Sequence, residues 1–376
     1  MTMHSLGLEN LQIYWWFIVS LLGGLLVFMM FVQGGQSLIF SLGKDELKKD
    51  MLINSIGRKW ELTFTTLVMF GGACFAAFPL FYATSFGGAY WVWLAILFCF
   101  IVQAVSYEYR KKPDNFLGAS TYEIFLFING SLGVILIGMA VSTFFSGSDF
   151  VLNEHNFVEW KTPFRGLEAL ANPYLYLLGI AMFFLSRVGG CLYLINNIAD
   201  GEFIQNARKQ LLINTVLFLP FFLGFLAWVL TKDGFAYDAN GVVSLVPYKY
   251  AINLIEMPIV GILLLVGVVL VLVGIFQGAF TKSIRGIFAY GVGVTLAVTA
   301  LFLITGLNGT AFYPSFSDLS SSLTIKNASS SHYTLGVMAY VSLLVPVVLA
   351  YIIVVWRAID SKKITQDEIK NDHHAY

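Results

Sequence analysis

Seven side chains lie inside or at the ends of long apolar runs and are the candidates for chemistry: Gln33, Gln36, Trp60, Glu61, Glu108, Glu123 and Arg187. Glu61 begins an apolar run in "GRKWELTFTTLVMFGG", Glu108 ends one in "SYEYRKK", and Glu123 begins another in "TYEIFLF". Carboxylates and amides that share one depth in a membrane can hold a chain of water molecules and pass protons along it. The three glutamates and two glutamines therefore predict a hydrated proton inlet. The alternative is that these are ordinary helix-end charges beside Arg58 and Lys59.

Arg187 lies near the middle of an apolar run, in "FFLSRVGG". An arginine at the centre of a membrane helix costs roughly 2.5–3.5 kcal/mol on insertion scales, so its side chain should face a polar interior. We expect it to pair with a carboxylate or with a cofactor group. A structural salt bridge and a functional polar pathway are both compatible with the sequence.

The sequence offers no ligand set for a metal. Its five histidines fall in the termini or in loops between apolar runs: His4, His155, His332, His373 and His374. Cys74, Cys99 and Cys191 lie singly inside apolar runs, which is typical of buried packing thiols. No nucleophilic triad, phosphate-binding loop or dinucleotide fingerprint is present, and no basic block indicates nucleic-acid binding. We therefore predict no catalytic residue, no metal site and no directly bound haem on this chain.

The composition identifies the class of protein. Of 376 residues, 58% are hydrophobic and 12% are charged, whereas a soluble domain usually carries about 25% charged residues. Apolar stretches long enough to cross a bilayer recur along the chain, so we predict one all-α polytopic membrane domain over 1–376. The nine predicted transmembrane helices are about 12–40, 62–84, 89–107, 122–145, 174–198, 211–231, 257–280, 286–306 and 334–357.

The positions of lysine and arginine predict the orientation. Sixteen cations fall in the tail and in the loops after the first, third, fifth and seventh helices, and five fall in the remaining loops. The positive-inside rule then places the N-terminus in the periplasm and the C-terminus in the cytoplasm. Residues 358–376 are predicted to be a flexible cytoplasmic tail, and the loops 146–173 and 308–333 to be ordered caps. Pairs of glycines inside the apolar runs, such as Gly34–Gly35 and Gly189–Gly190, predict close approaches between helices.

Several phrases together resemble the cytochrome bd quinol oxidase subunit II family. The clearest is "SSLTIKNASSSHYTLGVMAYVSLLVPVVLAYIIVVW" (321–356). Similar phrases are "GGACFAAFPLFYA" (71–83), "YEYRKKPDN" (107–115), "NGSLGVILIGMAVS" (129–142) and "RVGGCLYL" (187–194). The resemblance covers nearly the whole chain and implies the same nine spans with the N-terminus outside.

The resemblance implies a subunit of an oxidoreductase complex in the bacterial cytoplasmic (inner) membrane, a heterodimer that oxidises quinol and reduces oxygen to water. It implies that haem b and haem d belong to a partner, subunit I, and that this chain stabilises that partner without binding haem. It also implies that this chain contributes residues on the cytoplasmic side to a proton path. Ubiquinol or menaquinol as substrate, a small accessory subunit, and a structural lipid or quinone are all left open.

Two stretches depart from the pattern of the family. Trp60 and Glu61 match the tryptophan and the acid of a His-Trp-Asp phrase, with Lys59 in place of the histidine. Gln33 and Gln36, in "QGGQ", stand where the family commonly has two aspartates. Glutamine orients water but cannot take up and release a proton near neutral pH. The path is then expected through Glu61 alone, through Glu108 and Glu123, or through subunit I.

Two other functions are alternatives. A secondary transporter could hold an anionic substrate at Arg187, but such proteins often contain inverted repeats, which are not evident here. An assembly scaffold without a conducting role would share the fold and the partner. A cluster of acidic residues at one end of the helices favours the conducting role over the scaffold.

Overall fold

Nine helices within residues 7–371, the part of the chain that the computed structural model describes, are long and apolar enough to cross a membrane. They are Leu8–Ser37, Glu46–Ala77, Tyr90–Tyr109, Ala119–Ser146, Pro173–Asn197, Gly201–Thr231, Pro258–Phe280, Gly286–Gly306 and His332–Ile359. The predicted helix number and the helical class are thereby confirmed, while the orientation stays a prediction. His4, His373 and His374 lie outside the described residues.

Several of these spans are built from more than one helix. The α-helices are α1 (Leu8–Met29), α2 (Phe31–Ser37), α3 (Ile39–Leu42), α4 (Glu46–Gly57), α5 (Trp60–Ala77), α6 (Pro79–Tyr82), α7 (Tyr90–Tyr109), α8 (Ala119–Ile128), α9 (Val134–Ser146), α10 (Pro173–Asn197), α11 (Gly201–Thr231), α12 (Lys249–Glu256), α13 (Pro258–Phe280), α14 (Gly286–Gly306), α15 (His332–Ser342), α16 (Val345–Ile359) and α17 (Gln366–Asn371). Two π-helical segments, Ala83–Gly88 and Asn129–Gly133, interrupt the bundle. Two short 3₁₀ segments, Leu167–Ala171 and Leu319–Ser321, lie in loops.

Helix starts follow local side-chain chemistry. Asp45 caps α4 by accepting a hydrogen bond from the amide of Lys48 at 2.8 Å. Asp200 caps α11 through the amide of Phe203 at 2.7 Å, and this bond holds the pKa of the Asp200 carboxyl below its ordinary value. Pro173 occupies the first turn of α10, where a missing amide proton costs nothing.

An additional helix precedes the predicted second span. The apolar helix from Glu46 to Ala77 comprises α4 and α5 with a break near Arg58, and α5 itself begins at Trp60, close to the predicted start at 62. Residues of α4 such as Met51 and Ile53 are buried in the core, so the helix lies inside the bundle and not in a solvated loop. Lys59, expected as a loop cation, is fully buried. The tertiary packing of α4 thus overrides the polar character of its sequence.

Glycines allow two helices to meet backbone to backbone in the core, as predicted. A Cβ on Gly34 of α2 would lie 1.8 Å from the carbonyl oxygen of Ser186 on α10. A Cβ on Gly190 of α10 would lie 2.6 Å from the amide nitrogen of Gly35. All seven residues of α2 are buried as a result.

The two long loops form ordered caps, which confirms that part of their prediction. Strands β1 (Phe150–Leu152) and β2 (Val158–Trp160) pair antiparallel in the first loop. A third loop, between α11 and α12, contains strands β3 (Gly234–Tyr237) and β4 (Val243–Val246), which also pair antiparallel. An isolated bridge between Ser148 and Ser315 joins the two long loops. We call the end of the bundle where α9 stops and α10 begins the hairpin end, and the opposite end, where α7 stops and α8 begins, the cation-rich end.

The described part of the tail, which the sequence predicts to be flexible, is docked on the bundle. Asp360 accepts a hydrogen bond from the buried ammonium of Lys59 at 2.8 Å. Glu368 pairs with Arg58 at 2.7 Å. The amide of Ile364 donates to the carbonyl of Asn197 at 3.0 Å. These contacts tie 360–371 to the cation-rich end, because the buried Lys59 and the partly buried Arg58, between α4 and α5, have acid partners there.

Candidate functional site

Side chains from α2, α7 and the π-helical segment after α8 form a buried polar group that we call the amide cluster: Gln33, Gln36, Gln103, Tyr107 and Asn129. The Nε2 of Gln33 donates to Oε1 of Gln103 at 2.9 Å. The Nε2 of Gln36 donates to the hydroxyl of Tyr107 at 3.0 Å. Residues three or four apart share a face of a helix, so α2 presents both glutamines to the matching pair on α7.

Asn129 lies beside the cluster: a Cβ on Gly133 would lie 3.4 Å from Asn129 Nδ2 and 3.3 Å from Cys99 Cβ, one turn before Gln103 on α7. The π-helical segment also packs closely on α2. A Cβ on Gly130 would lie 2.4 Å from the carbonyl oxygen of Gln33, so only a glycine fits between these backbones. A π-helical turn within an α-helix shifts the direction of its side chains and is often found at functional sites. Asn129 itself is completely buried.

Five amide atoms of this cluster have no hydrogen-bond partner among the described residues: Gln33 Oε1, Gln36 Oε1, Gln103 Nε2, Asn129 Oδ1 and Asn129 Nδ2. Leaving one buried polar atom unpaired costs about 1–3 kcal/mol. Such atoms are the ordinary binding sites of internal water, which makes two to four hydrogen bonds in a polar cavity. The cluster is therefore suited to bind water deep inside the bundle.

A second group lies nearer the cation-rich end, and we call it the ion-pair cluster: Glu46, Lys49, Asp50, Arg110 and Glu123. Glu123 Oε1 accepts hydrogen bonds from Arg110 Nη2 at 2.7 Å and Nε at 3.1 Å. Arg110 Nη1 binds Asp50 Oδ1 at 2.7 Å, and Lys49 binds Glu123 Oε2 at 3.1 Å. Burial alone would lower the pKa of Arg110, but the hydrogen bonds that it donates to Glu123 and Asp50, together with their negative charges, outweigh burial and raise the pKa.

The two clusters follow each other along the helix axes. Arg110, the first residue after α7, follows Tyr107 by three positions, a rise of about 4.5 Å. Glu123 precedes Asn129 by six residues, a rise of about 9 Å. A line of polar side chains therefore runs from the cation-rich end into the bundle.

The structure does not bring together all five residues that the sequence analysis expected side by side. Gln33 and Gln36 belong to the amide cluster, and Glu123 to the ion-pair cluster. Glu108 is exposed and pairs with Lys112 at 3.2 Å. Glu61 is exposed, and its carboxylate makes no hydrogen bond or ion pair with any described residue. Its chain neighbour Trp60 nevertheless stacks on the ring of Tyr107, with centroids 5.8 Å apart.

The sequence reasoning missed Gln103, Tyr107, Asn129, Asp50 and Arg110. Gln103 and Asn129 were detectable as uncharged polar residues within apolar runs, but the prediction rested on groups that ionise, plus one pair of glutamines. The spacing of Gln103 and Tyr107, four residues apart, places both on one face of α7. Nothing in the sequence indicates that this face meets α2.

The expected partner of Arg187 is also different. Among the described residues no carboxylate lies within ion-pairing distance of its guanidinium. Arg187 Nε donates to Asn214 Oδ1 at 2.6 Å, and Nη1 donates to the carbonyl oxygen of Ser37 at 3.0 Å. Phe183 lies beneath the guanidinium at 5.3 Å. Neutral oxygens and an aromatic face thus replace the predicted carboxylate and join α10 to α2 and α11.

Within residues 7–371 the potential metal ligands do not come together in a binding arrangement. No group of three or more His, Cys, Asp and Glu side chains there has an arrangement that could hold a metal ion. Cys74, Cys99 and Cys191 are free and buried, as expected of packing thiols.

Comparison with known proteins identifies the family. The sequence profile of cytochrome bd terminal oxidase subunit II matches residues 11–359. The chain is 27% identical to the cytochrome bd-I ubiquinol oxidase subunit 2 of Escherichia coli K12 over 383 aligned residues, which cover 98% of each chain. It is 28% identical to the probable cytochrome oxidase subunit 2 of Haemophilus influenzae over 366 aligned residues, covering 92% of this chain and 93% of the relative.

A solved structure shares the fold. A chain in the structure of bd oxidase from Geobacillus thermodenitrificans superposes with a TM-score of 0.67 at 12% identity. The superposition covers 94% of this chain and all of the other. At this identity the likeness supports the architecture of the helices and carries no residue roles.

Proposed function

Because this chain belongs to the cytochrome bd terminal oxidase subunit II family, we propose that it is the haem-free companion of a haem-bearing subunit I in a quinol oxidase. The complex oxidises quinol in the bacterial inner membrane and reduces oxygen to water. The relative in Escherichia coli is named as a ubiquinol oxidase subunit, which supports this reaction class. Subunit II stabilises its partner by covering part of its membrane-embedded surface.

The second part of the proposal is a proton inlet from the cation-rich end, which the positive-inside rule places in the cytoplasm. Reduction of oxygen to water consumes protons, and a path through the protein must supply them. The observation that carries this proposal is the set of five unpaired amide atoms at Gln33, Gln36, Gln103 and Asn129. Water bound to these atoms forms the inner part of the path.

Each polar group has a distinct task in this inlet. The carboxylates of Glu46 and Asp50 receive protons from the aqueous phase, next to the buried pair of Arg110 and Glu123. The hydroxyl of Tyr107 lies between this cluster and the amides, and it both donates and accepts hydrogen bonds. The amides orient water but do not ionise, so protons move through the water and the hydroxyl, not through glutamine.

Glu61 remains the candidate for a second point of proton uptake. It is an exposed carboxylate beside Trp60, which stacks on Tyr107, so it lies near the level at which the amide cluster begins. Glu108 is a surface carboxylate paired with Lys112 and is the weakest of the proposed residues. The transporter alternative loses support, because the Arg187 guanidinium is held by Asn214 and Ser37 and the family is an oxidase family.

The inlet is tested in the purified two-subunit complex with Gln103→Leu. Replacing the amide by an apolar group of similar size removes the bound water, so turnover with quinol and oxygen should fall at least about tenfold. The haem content should stay unchanged. Gln12→Leu is the matched control, because Gln12 is a buried glutamine at the hairpin end whose amide nitrogen already donates to Lys326 and Ser329. Wild-type turnover in Gln103→Leu would refute a path through the amide cluster.

Glu61→Gln distinguishes proton uptake at Glu61 from uptake at the ion-pair cluster. If protons pass Glu61, this variant slows turnover while assembly and haem content are retained. Unchanged turnover would exclude Glu61 as an essential carrier and leave the ion-pair cluster as the site of proton uptake.

The companion role has its own test, a reduced-minus-oxidised visible spectrum of this chain purified gently with a tag from its native membrane. Bands of b- and d-type haem together with a second large polypeptide are expected. A pure, folded and colourless protein without a partner would contradict the role.

A further inference from the structure

A cavity of about 280 Å³ lies at the hairpin end of the bundle, beneath the loop that carries β1 and β2. Its walls come from the start of α7, the end of α9, the start of α10 and the two long loops. Small-molecule sites usually measure about 300–1,000 Å³, and this cavity lies just below that range, so it has room for a very small ligand or a headgroup. It is remote from the amide cluster, and the proposed function makes no use of it.

Four aromatic side chains contribute to the wall, Trp93, Trp160, Tyr313 and Phe316, and contacts with neighbouring groups hold the first three in place. Trp93 stacks on Phe86 with ring centroids 3.9 Å apart. Trp160 donates its indole proton to the carbonyl oxygen of Thr84 at 3.2 Å. Tyr313 is almost fully buried, and its hydroxyl accepts a hydrogen bond from Ser148 at 3.2 Å. The rings are therefore positioned before any ligand binds.

The charge of the wall is negative. Glu168 and Asp149 line the cavity, and none of its lining residues is a lysine, arginine or histidine. Glu168 Oε2 accepts a hydrogen bond from the amide of Gly166 at 2.6 Å. Glu168 Oε1 is buried and has no hydrogen-bond partner among the described residues. Burying a carboxylate oxygen without a hydrogen-bond partner costs free energy. A ligand that donates a hydrogen bond to this atom would offset the cost, and a cationic donor would do so most strongly.

We propose that this cavity binds an organic ammonium group. The nitrogen would donate to Glu168 Oε1, and its carbon substituents would lie against Trp93, Trp160 and Tyr313. Carboxylates beside aromatic faces favour ammonium ions, because the ring faces are electron-rich and attract cations. Anionic ligands meet two carboxylates and no compensating cation.

Other occupants fit less well. A hard divalent cation needs six or more oxygen ligands, whereas the walls are mainly apolar and aromatic. A purely apolar ligand would leave Glu168 Oε1 without a partner. An ammonium group can come from a lipid with an ethanolamine headgroup or from a free small amine, because the cavity lies at the ends of membrane-spanning helices.

Titration calorimetry on the purified two-subunit complex tests the proposal, with ethanolamine as the probe and ethane-1,2-diol as its neutral analogue. Ethanolamine should bind and the diol should not. Glu168→Gln should lower the affinity for ethanolamine at least tenfold, since the substitution removes the charge and keeps an oxygen that can accept from the Gly166 amide. Glu159→Gln is the control, an exposed carboxylate of the same loop, and should bind like the wild type.

A retained lipid would block the titration, so native mass spectrometry of the same samples is the second arm. A phosphatidylethanolamine retained by the wild type and lost from Glu168→Gln identifies the lipid as the source. Ethanolamine binding without retained lipid identifies a free amine. Trp93→Leu, which keeps the carboxylate, should weaken whichever ligand is found.

The proposal is overturned if the wild type neither titrates nor retains an ammonium lipid. It is equally overturned if the diol binds as well as ethanolamine, or if Glu168→Gln and Trp93→Leu both behave like the wild type. Thermal unfolding of each variant shows whether it is folded. If one of the two variants does not fold, ligand binding by the other still tests the proposal.

Discussion

Two nitrogens of Arg110 donate hydrogen bonds to one carboxylate oxygen of Glu123: Nη2 at 2.7 Å and Nε at 3.1 Å. Both side chains are at most 2% exposed. Removing one partner of a buried ion pair leaves the other charge uncompensated and costs about 3–5 kcal/mol. We therefore expect Glu123→Gln to lower the thermal stability of the complex markedly.

The control for this prediction is Glu108→Gln. Glu108 also pairs with a cation, Lys112, but both side chains are more than half exposed, and such pairs contribute only about 0–1 kcal/mol. Differential scanning fluorimetry of the purified complexes compares the two variants. An equal fall in melting temperature for both variants would contradict a larger contribution of the buried Arg110–Glu123 pair to stability.

Gly34→Ala should prevent normal packing of α2 against α10. The new methyl group would lie 1.8 Å from the carbonyl oxygen of Ser186, so two backbones must move apart. Overpacking of this kind costs about 1–3 kcal/mol or more. Gly72→Ala is the matched control, because a Cβ there has no neighbour within 4 Å. The yield and haem content of the complex are measured, and equal yields would contradict the close approach.

Asp360→Asn should release the docked tail. Asp360 is the partner of Lys59, which is fully buried, and it also accepts hydrogen bonds from Asn197 at 3.3 Å and Tyr193 at 3.4 Å. Hydrogen exchange of 360–371 should accelerate about tenfold or more, because local opening becomes easier. Lys362→Gln changes an exposed charge in the same segment and should leave the exchange rates unaltered. Unchanged protection in Asp360→Asn would show that other contacts hold the tail.

Lys232 should make stability depend on pH. Burial lowers the pKa of its ammonium from 10.5 to about 8, although it donates to the carbonyl oxygens of Phe145 and Asp233. Between these two values the folded protein binds fewer protons than the unfolded chain, so stability rises with pH. The cost of burying the charge is fully present below about pH 8.

Lys232→Met removes this titration and keeps a chain of similar length. The melting temperature of the wild type should therefore rise relative to that of the variant between about pH 7 and pH 10. For Lys209→Met, at an exposed position, the melting temperature should change with pH in the same way as that of the wild type. A constant difference between Lys232→Met and the wild type across this range would contradict the lowered pKa.

The sequence by itself determined the class, the number of spans and the family. Apolar runs long enough to cross a bilayer are a local property, and so are the glycine pairs that allow helices to meet. The phrases shared with the family are local as well. The sequence also identified Gln33, Gln36 and Glu123 as candidate residues, because polar side chains in apolar runs are few.

Only the tertiary structure decided which of these side chains meet. Gln33 bonds to Gln103 seventy positions away, and Lys59 meets Asp360 three hundred and one positions away. Helical periodicity assigns a residue to a face of its own helix but not to the partner of that face. The rotation of α5 about its axis, set by packing against its neighbours, leaves Glu61 on the surface while Trp60 reaches Tyr107.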